Sequence, residues 1–94
     1  MTDQRRNAED LAIQALHWLA NDQDLIATFL GASGLSPAGL RSEARRPEFL
    51  ASVLDFILMD DAWVIRFSDA AGLPYDATLA ARRALPGGEP PHWT

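Results

Sequence analysis

Ninety-four residues with 48% hydrophobic and 22% charged side chains describe one ordinary globular domain. A chain this short buries roughly 60–65% of its unfolded surface, enough for one core but too little for a core and a deep closed pocket. The formal net charge of −5 and the pI near 4.7 oppose non-specific coating of nucleic acid or anionic membrane, and the absence of cysteine removes disulfides, thiolate nucleophiles and cysteine metal sites.

In chain order, the first predicted helix covers Asn7 to Ala20. Ala8, Leu11, Ala12, Ala15, Leu16 and Leu19 keep helical spacing on one face, and Glu9 and Asp10 complement the positive end of the dipole. Asn21-Asp22 breaks the chain and recaps it. A second helix is expected from Gln23 to Leu30, with Gly31 as its left-handed cap. Ser36-Pro37 is a start signal for a short third helix, Pro37 to Ala44, weakened by Gly39.

Pro47 then opens the segment that organises the fold, a helix over about 48–59. Seven of the twelve residues from Glu48 to Met59 are large and apolar before the methionine is counted: Phe49, Leu50, Val53, Leu54, Phe56, Ile57 and Leu58. A helix apolar on nearly every side must be surrounded by other elements. Asp60-Asp61 stops it and caps a fifth helix, Asp61 to Ala71, with Trp63, Val64, Phe67 and Ala71 inward. Gly72 ends that helix and Pro74 opens a sixth.

The last segment, Pro86-Gly-Gly-Glu-Pro-Pro-His-Trp-Thr94, cannot be helical. No period-2 alternation argues for a strand. The expected fold is therefore all-α: five or six short helices around the central 48–59 helix. Residues 1–85 form a single helical domain and 86–94 a Pro/Gly-rich tail.

Chemistry finds little foothold. His17 and His92 are far apart and lack partners at metal-ligand spacing. The acidic pairs Glu9-Asp10, Asp22/Asp24 and Asp60-Asp61 stand at helix starts, where capping accounts for them. Asp55, in mid-helix, belongs either on a solvent stripe or opposite an arginine such as Arg66 or Arg82. No nucleophile elbow, phosphate loop or dinucleotide fingerprint occurs. The reading is a non-enzyme without metal or cofactor. Trp18 falls off the main stripe of the first helix and Trp93 tips the tail. Exposed tryptophans anchor partners, so both are candidate partner contacts. For Trp18 the plainer alternative is a lid over the edge of the core.

Two resemblances add to this. Leu30-Gly-Ala-Ser-Gly34-Leu35-Ser36-Pro-Ala-Gly-Leu40 resembles the helix-turn-helix of tetracycline-repressor-type regulators. The resemblance implies DNA contacts from the locally basic stretch carrying Arg41, Arg45 and Arg46. Gly39 and the scarcity of base-reading side chains place DNA binding second. Asp60-Asp-Ala-Trp-Val-Ile-Arg-Phe67, Ala70-Ala-Gly-Leu-Pro74 and the ending Ala84-Leu-Pro-Gly-Gly-Glu-Pro-Pro-His-Trp-Thr94 resemble a family of small alphaproteobacterial proteins known only as a domain of unknown function. That resemblance implies a bacterial cytoplasmic protein and supplies no catalytic residues. The polar N-terminal segment, without the apolar core of a secretory signal, points to the cytoplasm as well. The function expected is a small protein-interaction or adaptor domain whose partner is another protein. Neither nucleic acid nor membrane is the expected partner.

Overall fold

A computed structural model describes residues 2–86, with the side chains described from residue 4 onward; the expectations for His92, Trp93 and the 87–94 part of the tail lie outside these residues. Six α-helices account for the regular structure among the described residues: α1 Thr2–Ala20, α2 Gln23–Ser33, α3 Pro37–Glu43, α4 Pro47–Leu58, α5 Asp61–Ala71 and α6 Ala77–Arg83. The all-α expectation holds. None of these helices is long and apolar enough to cross a membrane.

Capping chemistry sets most boundaries. The Asp22 carboxylate accepts from the amides of Asp24 and Leu25 at 3.1 and 3.0 Å and starts α2. The Ser36 hydroxyl accepts from the Gly39 amide at 3.1 Å, with Pro37 at the first helical position of α3. Asp60 accepts from the Ala62 amide at 2.8 Å and starts α5. These side chains satisfy amides that have no partner within their helix.

Several boundaries differ from expectation, among them the end of α3, which stops at Glu43 rather than Ala44. α1 begins at Thr2 rather than Asn7, carried outward by good helix formers and an Arg5–Glu9 pair four residues apart, 3.4 Å. Gly31 does not end α2; it lies inside the helix, and Gly34 is the left-handed cap with φ 74°. The difference lies in the side chain after each glycine. Leu35 packs back against the core after Gly34, whereas Ala32 after Gly31 is exposed. The central helix is Pro47–Leu58, and Met59, beyond it, is 78% exposed. Pro74 opens a turn, not α6: its carbonyl accepts from the Ala77 amide at 3.1 Å, and the helix starts at Ala77. Across that turn Tyr75 donates to Asp69 at 2.8 Å, and the carboxylate acceptor raises the phenol above its ordinary pKa of 10.0.

The core has two axes, not one. α4 buries Phe49, Leu50, Ala51, Val53, Leu54, Phe56 and Ile57 and packs on α1, α5 and α6. α1 packs on α2, α4, α5 and α6, so the surrounding helices wrap a pair. Its buried face is Ala8, Ala12, Ala15, Leu16 and Leu19. Three of those five are alanines, which let neighbouring backbones come close while contributing little to a hydrophobicity count. A run of aromatic edges joins three helices: Phe29 of α2 stands 5.9 Å from Phe49 and 5.3 Å from Phe56 of α4, and Phe56 stacks on Trp63 of α5 at 4.8 Å.

Ser68 and Thr78 are fully buried, and their hydroxyls have no hydrogen-bond partner. An unpaired buried hydroxyl carries a desolvation penalty that an apolar isostere avoids. Ser68→Ala and Thr78→Val are each expected to stabilise the domain by about 1 kcal/mol. In a chain of this size that raises the melting temperature by about 4–8 °C. A fall in melting temperature by calorimetry would mean that the hydroxyls have partners after all.

Candidate functional site

Trp18 sits near the C-terminal end of α1 and is half-buried, next to exposed His17. Helical spacing from the buried positions Ala15 and Leu19 places it at the border of the apolar stripe. Its ring leans on Phe67 of α5, with centroids 5.7 Å apart and planes at 53°. Phe67 is itself fully buried, so the floor beneath the indole is fixed.

Arg66, the residue before Phe67, covers the indole from the solvent side with its guanidinium carbon 5.8 Å from the ring centroid. That is cation–π distance. The guanidinium is also held by Asp22, whose Oδ2 lies 3.3 Å from Nη2. Asp22 thus uses one oxygen to cap α2 and the other to steer Arg66 over Trp18. One carboxylate links three helices at this corner.

Beside the indole runs a shallow groove of about 230 Å³ between α1 and α5, lined by Gln14, His17, Trp18, Phe67, Ala70 and Ala71. Its walls are an aromatic edge and two alanines, and its rim carries one imidazole and one amide. Such a groove accepts an apolar side chain and offers a polar rim for orientation, the arrangement found at protein-binding hot spots. Among the described residues no group of three His, Asp or Glu side chains converges as a metal site.

The basic residues of the other reading lie elsewhere. Arg41 and Arg45 are exposed at the end of α3 and in the connection to α4, and Arg46 is paired with Glu43 at 2.8 Å. The helix that would enter a groove, α3, has seven residues and buries none of them. Asp55 pairs with Arg82 at 2.6 Å while remaining largely exposed, so both halves of its expectation meet in one residue.

Sequence reasoning finds Trp18 but not its setting. It offers Arg66 or Arg82 as a partner for Asp55; Arg82 is that partner, and Arg66 pairs instead with Asp22, forty-four positions away. Gln14 and Ala70 carry no sequence signal at all. The facing of α1 and α5 that makes the groove arises from how both helices pack around α4.

A family model described as a protein of unknown function (DUF3572) matches residues 5–88. No curated protein and no solved structure matches the chain.

Proposed function

The chain belongs to the DUF3572 family, whose function is unknown, and from that premise we propose that it is a small non-enzymatic protein-interaction domain that docks an apolar side chain of another protein against Trp18. The observation that carries this reading is the indole held half-open between Phe67 and Arg66, beside a shallow groove. An aromatic already fixed in place loses little conformational freedom on binding, so more of its contact area goes into affinity. A bacterial cytoplasmic setting, implied by the sequence resemblance, belongs to the same proposal.

DNA binding through Arg41, Arg45 and Arg46 stands behind it. Three cations on an acidic chain, one already paired, make a weak electrostatic footprint, and a seven-residue helix without buried residues is poorly anchored for reading bases.

Ala70→Glu separates the readings. Ala70 is exposed on α5 and lines the groove, so the substitution places a charge in the groove without touching the core. The tagged wild-type chain is expected to retain a stoichiometric protein from host lysate after nuclease treatment. Ala70→Glu should lose it at least tenfold with an unchanged melting curve. Equal capture by both chains would sink the Trp18 site. Recovery of nuclease-sensitive material alone, abolished by Arg41→Ala with Arg45→Ala, would put DNA binding first.

A further inference from the structure

In a chain of formal net charge −5, the groove beside Trp18 is an exception in sign. No carboxylate stands among its lining residues: Gln14, His17, Trp18, Phe67, Ala70 and Ala71. At its Trp18 end the polar groups are those of His17 on α1, one turn beyond Gln14, and Arg66 on α5, one turn before Ala70. An apolar floor with a cation at one end is complementary to an apolar group joined to an anion.

Arg66 is only partly neutralised. Its one hydrogen bond among the described residues runs from Nη2 to Asp22 Oδ2 at 3.3 Å, longer than charge-assisted pairs usually run. Asp22 also divides its charge, because its other oxygen accepts from the amides of Asp24 and Leu25 at the positive end of α2. A guanidinium carries several N–H donors in one planar fork, so most of those on Arg66 are without partners among the described residues. The side chain is 57% exposed, and a ligand reaches it without disturbing the core.

The spacing sets the kind of segment that fits. The Arg66 guanidinium carbon stands 5.8 Å from the centre of the indole. A chain laid in extended form along the groove turns every second side chain to the same face, about 6.6–6.8 Å apart. With an apolar side chain seated against Trp18, the side chain two positions away comes to Arg66. A carboxylate there gains a forked, charge-assisted contact. A lysine or arginine there is repelled.

Resting on the Trp18 docking reading, we infer that the partner offers an extended acidic segment, with an apolar residue in the groove and an Asp or Glu two positions away on Arg66. The probes are acetyl-Leu-Ala-Glu-amide and acetyl-Leu-Ala-Gln-amide, which differ only in the charged group. Each is titrated into the full-length chain and read from the magnetic-resonance shifts of the Trp18 indole N–H and the Ala70 amide. The Glu peptide is expected to bind about threefold more tightly at low salt. That advantage should shrink as salt screens an exposed pair. Arg66→Gln, at an exposed position, should melt as wild type and bring the Glu peptide down to the level of the Gln peptide. Arg83→Gln, away from this groove on α6, should leave the advantage intact. Equal or tighter binding of the Gln peptide to the wild-type chain overturns the acidic preference and leaves apolar docking at Trp18 standing. An advantage that survives Arg66→Gln overturns it as well. If neither peptide moves the Trp18 and Ala70 signals, the inference falls together with the reading it rests on.

Discussion

Leu54→Asp is expected to abolish cooperative unfolding. Leu54 is 0% exposed at the middle of α4, where Leu50, Val53 and Ile57 beside it are equally closed to water. The substitution removes a packed side chain, a loss of about 2–5 kcal/mol in comparable truncations. It also buries a carboxyl group without a partner, which adds several kcal/mol whether it stays ionised or takes up a proton. The whole domain is stabilised by only about 5–15 kcal/mol. The variant should show no sigmoidal melt by circular dichroism and no near-ultraviolet signal from its tryptophans. Ser52→Asp is the control, since Ser52 is exposed on the same helix. It should melt as a cooperative unit within about 1 kcal/mol of wild type. A cooperative, wild-type-like melt of Leu54→Asp would refute the burial of α4.

The same helix shows why some of this fold can be read from the sequence and some cannot. α4 is legible because a long apolar run has no other way to be solvated than burial. α5 is legible to the residue because each end carries its own chemistry, an Asp60 cap and a left-handed Gly72 with φ 69°. Where two residues offer the same local chemistry, the sequence alone does not choose between them. Gly31 and Gly34 can both end a helix, and the choice rests on whether the next side chain meets the core, a tertiary fact. The candidate site obeys the same rule. Trp18 stands out by type and by its place at the border of the stripe. Its cover by Arg66 depends on Asp22 reaching across from another helix, and nothing local to either residue announces that pair. A second groove, about 420 Å³ between α6 and the first half of α1, is invisible for a further reason: Ala8, Ala77, Ala80 and Ala84 line it, and it is made by what alanine lacks.

Alanine also carries the second large effect. Ala12→Leu is expected to destabilise the domain by about 2–3 kcal/mol although it adds apolar surface. Ala12 is 0% exposed, midway along the buried face of α1 that packs on α4 and α6. Judged by hydrophobicity alone, a larger side chain there should help, by about 25 cal/mol for each Å² newly withdrawn from water. That gain requires room. A fully enclosed alanine has its methyl in contact on all sides, and interiors at crystal-like density do not yield space without strained rotamers or shifted backbones. Moving α1 away from α4 to admit a leucine would also loosen Leu16, Leu19 and the α6 contacts, because α1 is shared by four neighbours. Ala20→Leu is the matched comparison: it lies on the same helix, is exposed, and is expected to change stability by less than about 0.5 kcal/mol. The pair is read from urea midpoints with the slope held in view, since an altered slope would report a change in compactness rather than in stability. If Ala12→Leu were neutral or stabilising, α1 would be a peripheral helix and the single-axis arrangement around α4 would be restored. If it costs what overpacking predicts, the domain is organised around two helices, one identified by its large side chains and the other by its small ones.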